Sequence, residues 1–421
     1  MTLTPAQNAV LNAIDESALV AELVNLIRVP SVTGTDAESE LQHRSAAQLT
    51  ELGLDVDLWK INLEELAADP RFPGSEAERL EGYGVVGVTG PGVPALVLQG
   101  HVDVVPIGDE TKWTEDPFSG EIIGGALHGR GACDMKAGVA TNLAVIRAIY
   151  ASGVTLERPL ALHTVVSEED GGLGAFATLL RGHTGDAAVI PEPTSGRIIT
   201  ANAGALTFEL TVAGRAAHGS ARLEGVSAFD AFLPINAAIF ELEARRNENP
   251  DPLFAGNPLP YPIAIGTLQA GDWSSSVPDR LTAHGRYGVR LDEDPDVARA
   301  EFAEAIAAAC AKDAWLRDNP VQIKWDGGQF NSGRIPQGHE LIAQMSDAVV
   351  AIGGFAPDQA AAPYGSDLRL YNSIGGIPTL HYGPGDVRMA HAPREQVDIA
   401  EVIRVTRALA VLAVQRCGAH L

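Results

Sequence analysis

Five short segments gather the imidazoles and carboxylates of this chain that could do chemistry. The first is His101-Val102-Asp103, directly after the apolar run Ala95–Gly100. On an extended backbone, residues two apart point to the same side. An acid beside a histidine can set the imidazole orientation that metal binding needs. The second is Gly129-Arg-Gly-Ala-Cys-Asp134-Met-Lys136, where glycines let the backbone approach something closely. Asp134 stands just before a helical pattern at 137–150, so a helix cap is its ordinary alternative. Its neighbour Cys133 reads as a small buried residue. The third is Ser167-Glu168-Glu169-Asp170-Gly-Gly, after the apolar run Leu160–Val166. Adjacent acids there are costly unless solvated or bound to cations. The fourth is Pro191-Glu192-Pro193-Thr194, and the fifth is Met389-Ala-His391-Ala-Pro393 in a Gly/Pro-rich loop. An exposed loop is the plain reading of each alone. Four of the five, however, fall at successive strand ends, where α/β sheets collect functional groups. A mixed set of imidazoles and carboxylates suits zinc, with cobalt or manganese as substitutes.

The elements that must position these groups alternate. Residues 5–28 carry apolar side chains at near-helical spacing, with Pro30 as a stop, and Ala47–Leu52 continues a second helix. Buried-strand signals at 84–88, 95–100, 160–166 and 187–190 are separated by helical patterns at 137–150 and 173–181. That order predicts an α/β fold with a mostly parallel sheet flanked by helices. From about residue 202 the pattern changes to strand, helix, strand, strand, helix, strand, a ferredoxin-like α+β unit. After 328 the α/β pattern resumes and ends in a helix at 396–416. The predicted architecture is a discontinuous catalytic domain, residues 1–201 plus 329–421, interrupted by an inserted domain at 202–328.

Composition narrows the function classes. The chain of 421 residues is 46% hydrophobic and 20% charged, which fits a globular protein with ample core. Thirty basic against 54 acidic residues give a net charge of −24. Such a surface repels phosphate backbones and anionic membranes, so neither nucleic acid nor a membrane is expected as partner. Three cysteines at unpatterned spacings suit a reducing cytoplasm. The N-terminus has neither the basic nor the apolar region of a signal peptide, and Val402–Val414 reads as a packed helix.

The five motifs, in this order, resemble the di-zinc family that includes acetylornithine deacetylase, succinyl-diaminopimelate desuccinylase, aminoacylase and glutamate carboxypeptidase. They match as Gly100-His-Val-Asp-Val-Val-Pro106, Gly-Arg-Gly-x-x-Asp-Met-Lys136, Glu168-Glu169, Pro191-Glu-Pro-Thr194 and Ala390-His-x-Pro393. The resemblance spans nearly the whole chain. Arg222-Leu-Glu-Gly-Val-Ser227 and Trp273-Ser-Ser-Ser-Val-Pro278 look closest to the deacetylase branch and to a formylaminopyrimidine deformylase within it. The implied roles follow residue by residue. His101 and Glu192 hold one zinc, Glu169 and His391 the other, and Asp134 bridges both. Asp103 orients His101, and Glu168 is the general base for a water shared by the metals. Two divalent cations, three ligand carboxylates and one hydroxide carry no net charge. The resemblance also implies a cis Asp134–Met135 peptide, and an inserted lid that pairs two subunits. In that lid His218 holds the tetrahedral oxyanion, often reaching in from the partner of a homodimer.

The substrate expected is a small N-acylated amine or amino acid. Ser275, Gly365 and either Arg286 or Arg290 are candidates to touch it. Ser275 stands where many members have Asn, which leaves the acyl-amine open, and Ala137 replaces the usual Gly after Met-Lys. A dipeptidase or carboxypeptidase of the same family is one alternative. A catalytically dead binding protein is another, but its signature, a lost ligand or base, is absent. His43, His128, His163, His183, His284, His339 and His381 match no ligand motif and read as structural.

Overall fold

The computed structural model describes residues 2–421 and divides the chain into two units. The first comprises residues 2–201, 334–360 and 367–421. The second comprises residues 202–333 and 361–366. The return crossing thus falls later than the spacing suggests, because the strand Gln322–Phe330 belongs wholly to the inserted unit. The short run 361–366 also belongs to the inserted unit, where sequence assigns it to the catalytic domain.

In the first unit the sheet order runs Asp55–Lys60, Tyr83–Val88, Leu160–Val165, Leu96–His101, Ala188–Pro193, Thr379–Gly383, Ile198–Asn202. The middle four strands are parallel. Their side chains alternate between two cores, as a sheet covered on both faces requires. Leu96, Leu98, Leu160 and Leu162 join a cluster with Val145, Ile146, Leu409 and Leu412 from the helices Ala137–Ser152 and Ile399–Cys417. Val97, Ala161 and Val165 join another with Phe176, Leu179, Leu370 and Tyr371 from the helices Leu173–Leu180 and Leu368–Ser373.

Local chemistry fixes where helices begin. The segment 5–28 forms two helices, Pro5–Asn12 and Glu16–Ile27. The break exists because Asp15 leaves the helix to accept the Ala18 N–H. The next helix begins at Asp36, far ahead of the apolar stretch at 47–52. Its first turns are mostly polar, so apolar periodicity does not reveal them. Among the described residues no helix is long and apolar enough to cross a membrane. All three cysteines are buried and unpaired.

The second unit is a four-stranded antiparallel sheet in the order Ile263–Ala270, Arg280–Val289, Gly204–Ala213, Gln322–Phe330. The helices Ala228–Arg246 and Pro295–Cys310 cover one face, burying Phe232, Ile235, Ile239, Phe302 and Ile306 against Leu206, Phe208 and Leu210. This is the ferredoxin-like arrangement. The first of these helices also leaves an outward stripe of Phe229, Leu233 and Phe240, respectively 44%, 52% and 58% exposed.

Candidate active site

The C-terminal ends of the parallel strands bring together His101, Asp134, Glu168, Glu169, Glu192 and His391, all in the first unit. His101 is the last residue of its strand. Glu192 lies inside Ala188–Pro193, one residue from its end, whereas the sequence reading stops that strand at 190. Glu168 and Glu169 follow Val165 across a sharp turn that begins at Ser167, whose φ is 64°. Asp134 sits at a non-helical kink just before the helix Ala137–Ser152. The Asp134–Met135 peptide is cis. His391 has a left-handed φ of 59° in its loop and is half-exposed.

The tautomer of His101 follows from its partners. Nδ1 is 2.9 Å from the main-chain oxygen of Asp103, and a carbonyl only accepts, so Nδ1 carries the proton. Nε2 therefore faces Asp134 Oδ1 at 3.3 Å, Glu192 Oε1 at 3.6 Å and Glu168 Oε2 at 4.0 Å, with a lone pair in the neutral ring and an N–H in the charged one. The other oxygen of Asp134 faces the second imidazole, with Oδ2 3.5 Å from His391 Nε2. Glu169 Oε2 is 3.1 Å from the same nitrogen. Donor atoms of His101, Asp134 and Glu169 lie within 4.8 Å of one another, as do those of His101, Glu168 and Glu192.

Protons balance this cluster poorly. Burial, with neighbouring acids added, holds the carboxyls of Glu168 and Glu192 well above the usual range, and burial and Asp134 raise Glu169. Burial opposes a charge on His101, but its hydrogen bond to Asp134 and the pull of Glu192 prevail and raise its pKa well above normal. Glu169 is the main cause of the rise in His391 to about 11. Burial alone would raise Asp134, yet the hydrogen bonds to His101 and His391 hold it below the ordinary value. Without a cation, only extra protons on the imidazoles and on the buried carboxyls hold these acceptors together. Such a donor set fits divalent cations, which neutralise the acids without demanding protons.

Asp103 faces His101 Nδ1 with its main-chain carbonyl at 2.9 Å and its carboxylate Oδ1 at 3.6 Å. Its carboxylate accepts the Glu168 and Glu169 N–H groups, each at 3.2 Å, and the Thr33 hydroxyl at 3.0 Å. The imidazole's hydrogen bond goes to its backbone carbonyl. Glu395 is a residue that motif reading passes over. Its buried carboxylate accepts the N–H groups of Cys133 and Asp134, both at 3.1 Å, and pairs with Arg130. Arg130 in turn lies over the Trp113 ring at 5.1 Å. A signal existed: Arg130 is inside the second motif, and Glu395 follows His391 by one helical turn's spacing.

The remaining candidates lie in the inserted unit. His218 is exposed, and its Nδ1 accepts the Ser220 N–H at 3.2 Å. The Ser275 carbonyl accepts the Gly219 N–H at 2.6 Å. Gly365 must be Gly, because a Cβ there would lie 2.4 Å from that of Phe330. The two arginines separate clearly. Arg290 stands 3.7 Å from Glu293 and 3.8 Å from Glu301. Arg286 donates to the Pro363 carbonyl at 3.0 Å and pairs with no carboxylate among the described residues. Burial draws its pKa down to about 10.

The sequence model of peptidase family M20/M25/M40 matches residues 97–415. The chain belongs to that family. This M20 protein is 25% identical to N-formyl-4-amino-5-aminomethyl-2-methylpyrimidine deformylase of Bacillus subtilis, over 96% of this chain and 95% of the relative. It is 26% identical to acetylornithine deacetylase of Erwinia tasmaniensis, over 94% and 96% of the two chains. Its fold is similar to that of the Saccharomyces cerevisiae di-peptidase Dug1p, with a TM-score of 0.76 at 16% identity and 98% coverage of each chain. Human carnosine dipeptidase 1 is similar too, with a TM-score of 0.75 at 14% identity, covering 98% of this chain and 99% of that one. M20 enzymes are metal-dependent, and this M20 chain is an amide hydrolase whose His/carboxylate cluster offers metal-ligand groups.

Proposed function

We propose that this M20 enzyme removes a short acyl group, formyl or acetyl, from a small N-acylated amine, using two divalent metal ions. One observation carries the two-ion reading: the two oxygens of Asp134 face two different imidazoles, those of His101 and His391. His101 and Glu192 would hold one cation, His391 and Glu169 the other, with Asp134 shared between them. Zinc fits the nitrogen and oxygen donors, and cobalt or manganese would substitute. When bound, the cations acidify a water for attack and polarise the amide carbonyl.

The rest of the chemistry belongs to the chain. Glu168 reaches the same space as the ligands but has no imidazole closer than 4.0 Å, so its carboxylate is free to act as base. It takes the proton of the attacking water and returns it to the leaving amine. Its buried surroundings favour holding that proton between the two events. His218 supplies a hydrogen bond to the oxyanion, and Ser275 and Gly365 contact the substrate. Arg286, rather than Arg290, meets any anionic group on it, since Arg290 is already committed to Glu293 and Glu301.

The acyl preference rests on the deformylase and deacetylase relatives. A panel of N-formyl, N-acetyl and N-succinyl amines run against dipeptides tests it. Fastest turnover of a formyl or acetyl amine, lost on chelation and restored by zinc or cobalt, is expected. Preference for dipeptides would replace the reading with a dipeptidase. A homodimer through the inserted unit belongs to the same proposal. The stripe of Phe229, Leu233 and Phe240 and the open edge of the strand Ile263–Ala270 are the surfaces a second copy would cover. A solution mass of one chain in a fully active preparation would remove it.

A further inference from the structure

The turn that carries Glu168 and Glu169 is held from outside by a segment that none of the motifs contains. Residues 69–82 run without regular structure between the helix Leu63–Ala68 and the strand Tyr83–Val88. A stretch of that length inside a compact unit needs a reason. Two of its backbone N–H groups tie it to the turn. The N–H groups of Glu76 and Ala77 donate to Asp170 Oδ2 at 3.1 and 2.9 Å. The other oxygen of Asp170 accepts the Ser167 hydroxyl. Gly171 approaches the segment so closely that an added Cβ would lie 2.2 Å from the Gly74 carbonyl.

Arg79 closes the arrangement. Its side chain is only 4% exposed. Nη1 lies 3.1 Å from Glu38 Oε2, and Nη2 is 3.7 Å from Asp170 Oδ1. Glu38, also buried, accepts the Gly34 N–H at 2.7 Å and the Ser167 N–H at 3.2 Å. Ser167 thus receives a support on each side, from Glu38 at its N–H and from Asp170 at its hydroxyl. It is also the residue whose left-handed φ of 64° aims the chain into Glu168. A non-glycine residue holds that conformation only where its surroundings enforce it.

We infer that Arg79 is a positioning residue for the reaction: by neutralising Glu38 and Asp170 together, it fixes the turn Ser167–Asp170 and so the aim of Glu168 and Glu169. It touches neither substrate nor reacting atoms. Removing the guanidinium leaves Glu38 and Asp170 buried without their shared cation, with Asp103 also close to Glu38, and the turn between them loosens. The inference rests on the roles proposed above for Glu168 and Glu169.

The test compares Arg79→Gln and Arg79→Lys with the natural chain, each loaded with cobalt. In Arg79→Gln the expected loss is about 10- to 100-fold in kcat, as for other supports of ligand residues, with KM within about threefold. The visible spectrum of the bound cobalt should change, and amide hydrogen exchange at 167–171 should speed up. Arg79→Lys restores the charge and part of each readout. It also keeps the test alive should Arg79→Gln not fold. Unchanged kcat, cobalt spectrum and turn exchange, in a protein that merely melts at lower temperature, would overturn the inference. Exchange at 167–171 is read independently of catalysis. Faster exchange together with full activity in Glu168→Gln would sink the assignment of the base and leave the support by Arg79 standing.

Discussion

Asp103 meets His101 through its main-chain carbonyl, 2.9 Å from Nδ1, while its carboxylate Oδ1 stands 3.6 Å from that nitrogen. The carboxylate is occupied instead with the amides of Glu168 and Glu169. One residue thereby fixes two things: the imidazole tautomer by its backbone, and the turn that carries Glu168 and Glu169 by its side chain. The two can be separated. Asp103→Asn keeps the carbonyl but turns an NH2 towards an N–H that needs an acceptor. A loss of about 10- to 100-fold in kcat is expected, with the metal content little changed. Steady-state kinetics beside metal analysis checks this. Loss of metal with normal turnover per remaining ion would show that the carboxylate serves His101 after all.

Glu168→Gln keeps the shape of the side chain and removes its capacity as a base. Proton transfer by a positioned group contributes about 10²- to 10⁴-fold, so a fall of that order in kcat is expected with both cations retained. Atomic absorption on the purified variant establishes the second half. A variant that turns over normally ends the role given to Glu168.

The clustering of His101, Asp134, Glu168, Glu169, Glu192 and His391 was legible in the sequence, because these residues sit in short motifs at strand ends, where topology alone brings distant segments together. The α/β frame was legible from the alternation of strand and helix signals, whereas the cis peptide before Met135 was implied only by the family resemblance. What stayed hidden was the support. Glu38 lies in the polar first turn of the helix Asp36–Glu51, and Arg79 in a stretch without periodicity. Both are charged residues that composition assigns to the surface. Their burial becomes visible only once the fold places Ser167 beside them. The different surroundings of Arg286 and Arg290 were hidden too, since they depend on which carboxylates the fold brings to each guanidinium.

Metal stoichiometry separates the shared ligand from the unshared ones. Asp134 faces both imidazoles, so Asp134→Ala should bind neither cation tightly. His391→Ala removes a ligand from one cation only, and should retain about one metal ion per chain on the tetrahedral-site chemistry expected of zinc. Titration with zinc after chelation, followed by calorimetry, reads both numbers. Equal stoichiometry in the two variants would rule out Asp134 as the bridge.

The two arginines of the inserted unit should respond differently to the same change. Arg286→Gln removes a cation without a carboxylate partner, so the fold tolerates it while an anionic substrate loses a charged hydrogen bond. Such bonds are worth about 1.5–3 kcal/mol, which corresponds to roughly a 10- to 100-fold rise in KM. Arg290→Gln strips a partner from Glu293 and Glu301, and should lower the melting temperature with KM nearly unchanged. Kinetics and thermal melts of both variants, on substrates with and without a carboxylate, give four comparisons. A KM effect confined to Arg290→Gln would reverse the assignment.

Stability should fall in acid for a reason remote from catalysis. His163 is buried, with Nδ1 2.7 Å from the Tyr371 hydroxyl. Burial, reinforced by His183 nearby, pulls its pKa from the ordinary 6.5 down to about 3. The folded chain therefore refuses a proton that the unfolded chain accepts. The associated stability is fully present above pH 6.5 and is lost as the pH falls from there towards 3. One such proton gives a slope of about 1.4 kcal/mol per pH unit. Urea unfolding between pH 7 and pH 4 should show this slope in the natural chain, on top of what the carboxylates contribute. In His163→Gln the slope should be shallower by about one proton, whatever the variant's stability at neutral pH. Parallel curves would mean that His163 accepts a proton within the fold, and that its contact with Tyr371 does not hold it neutral.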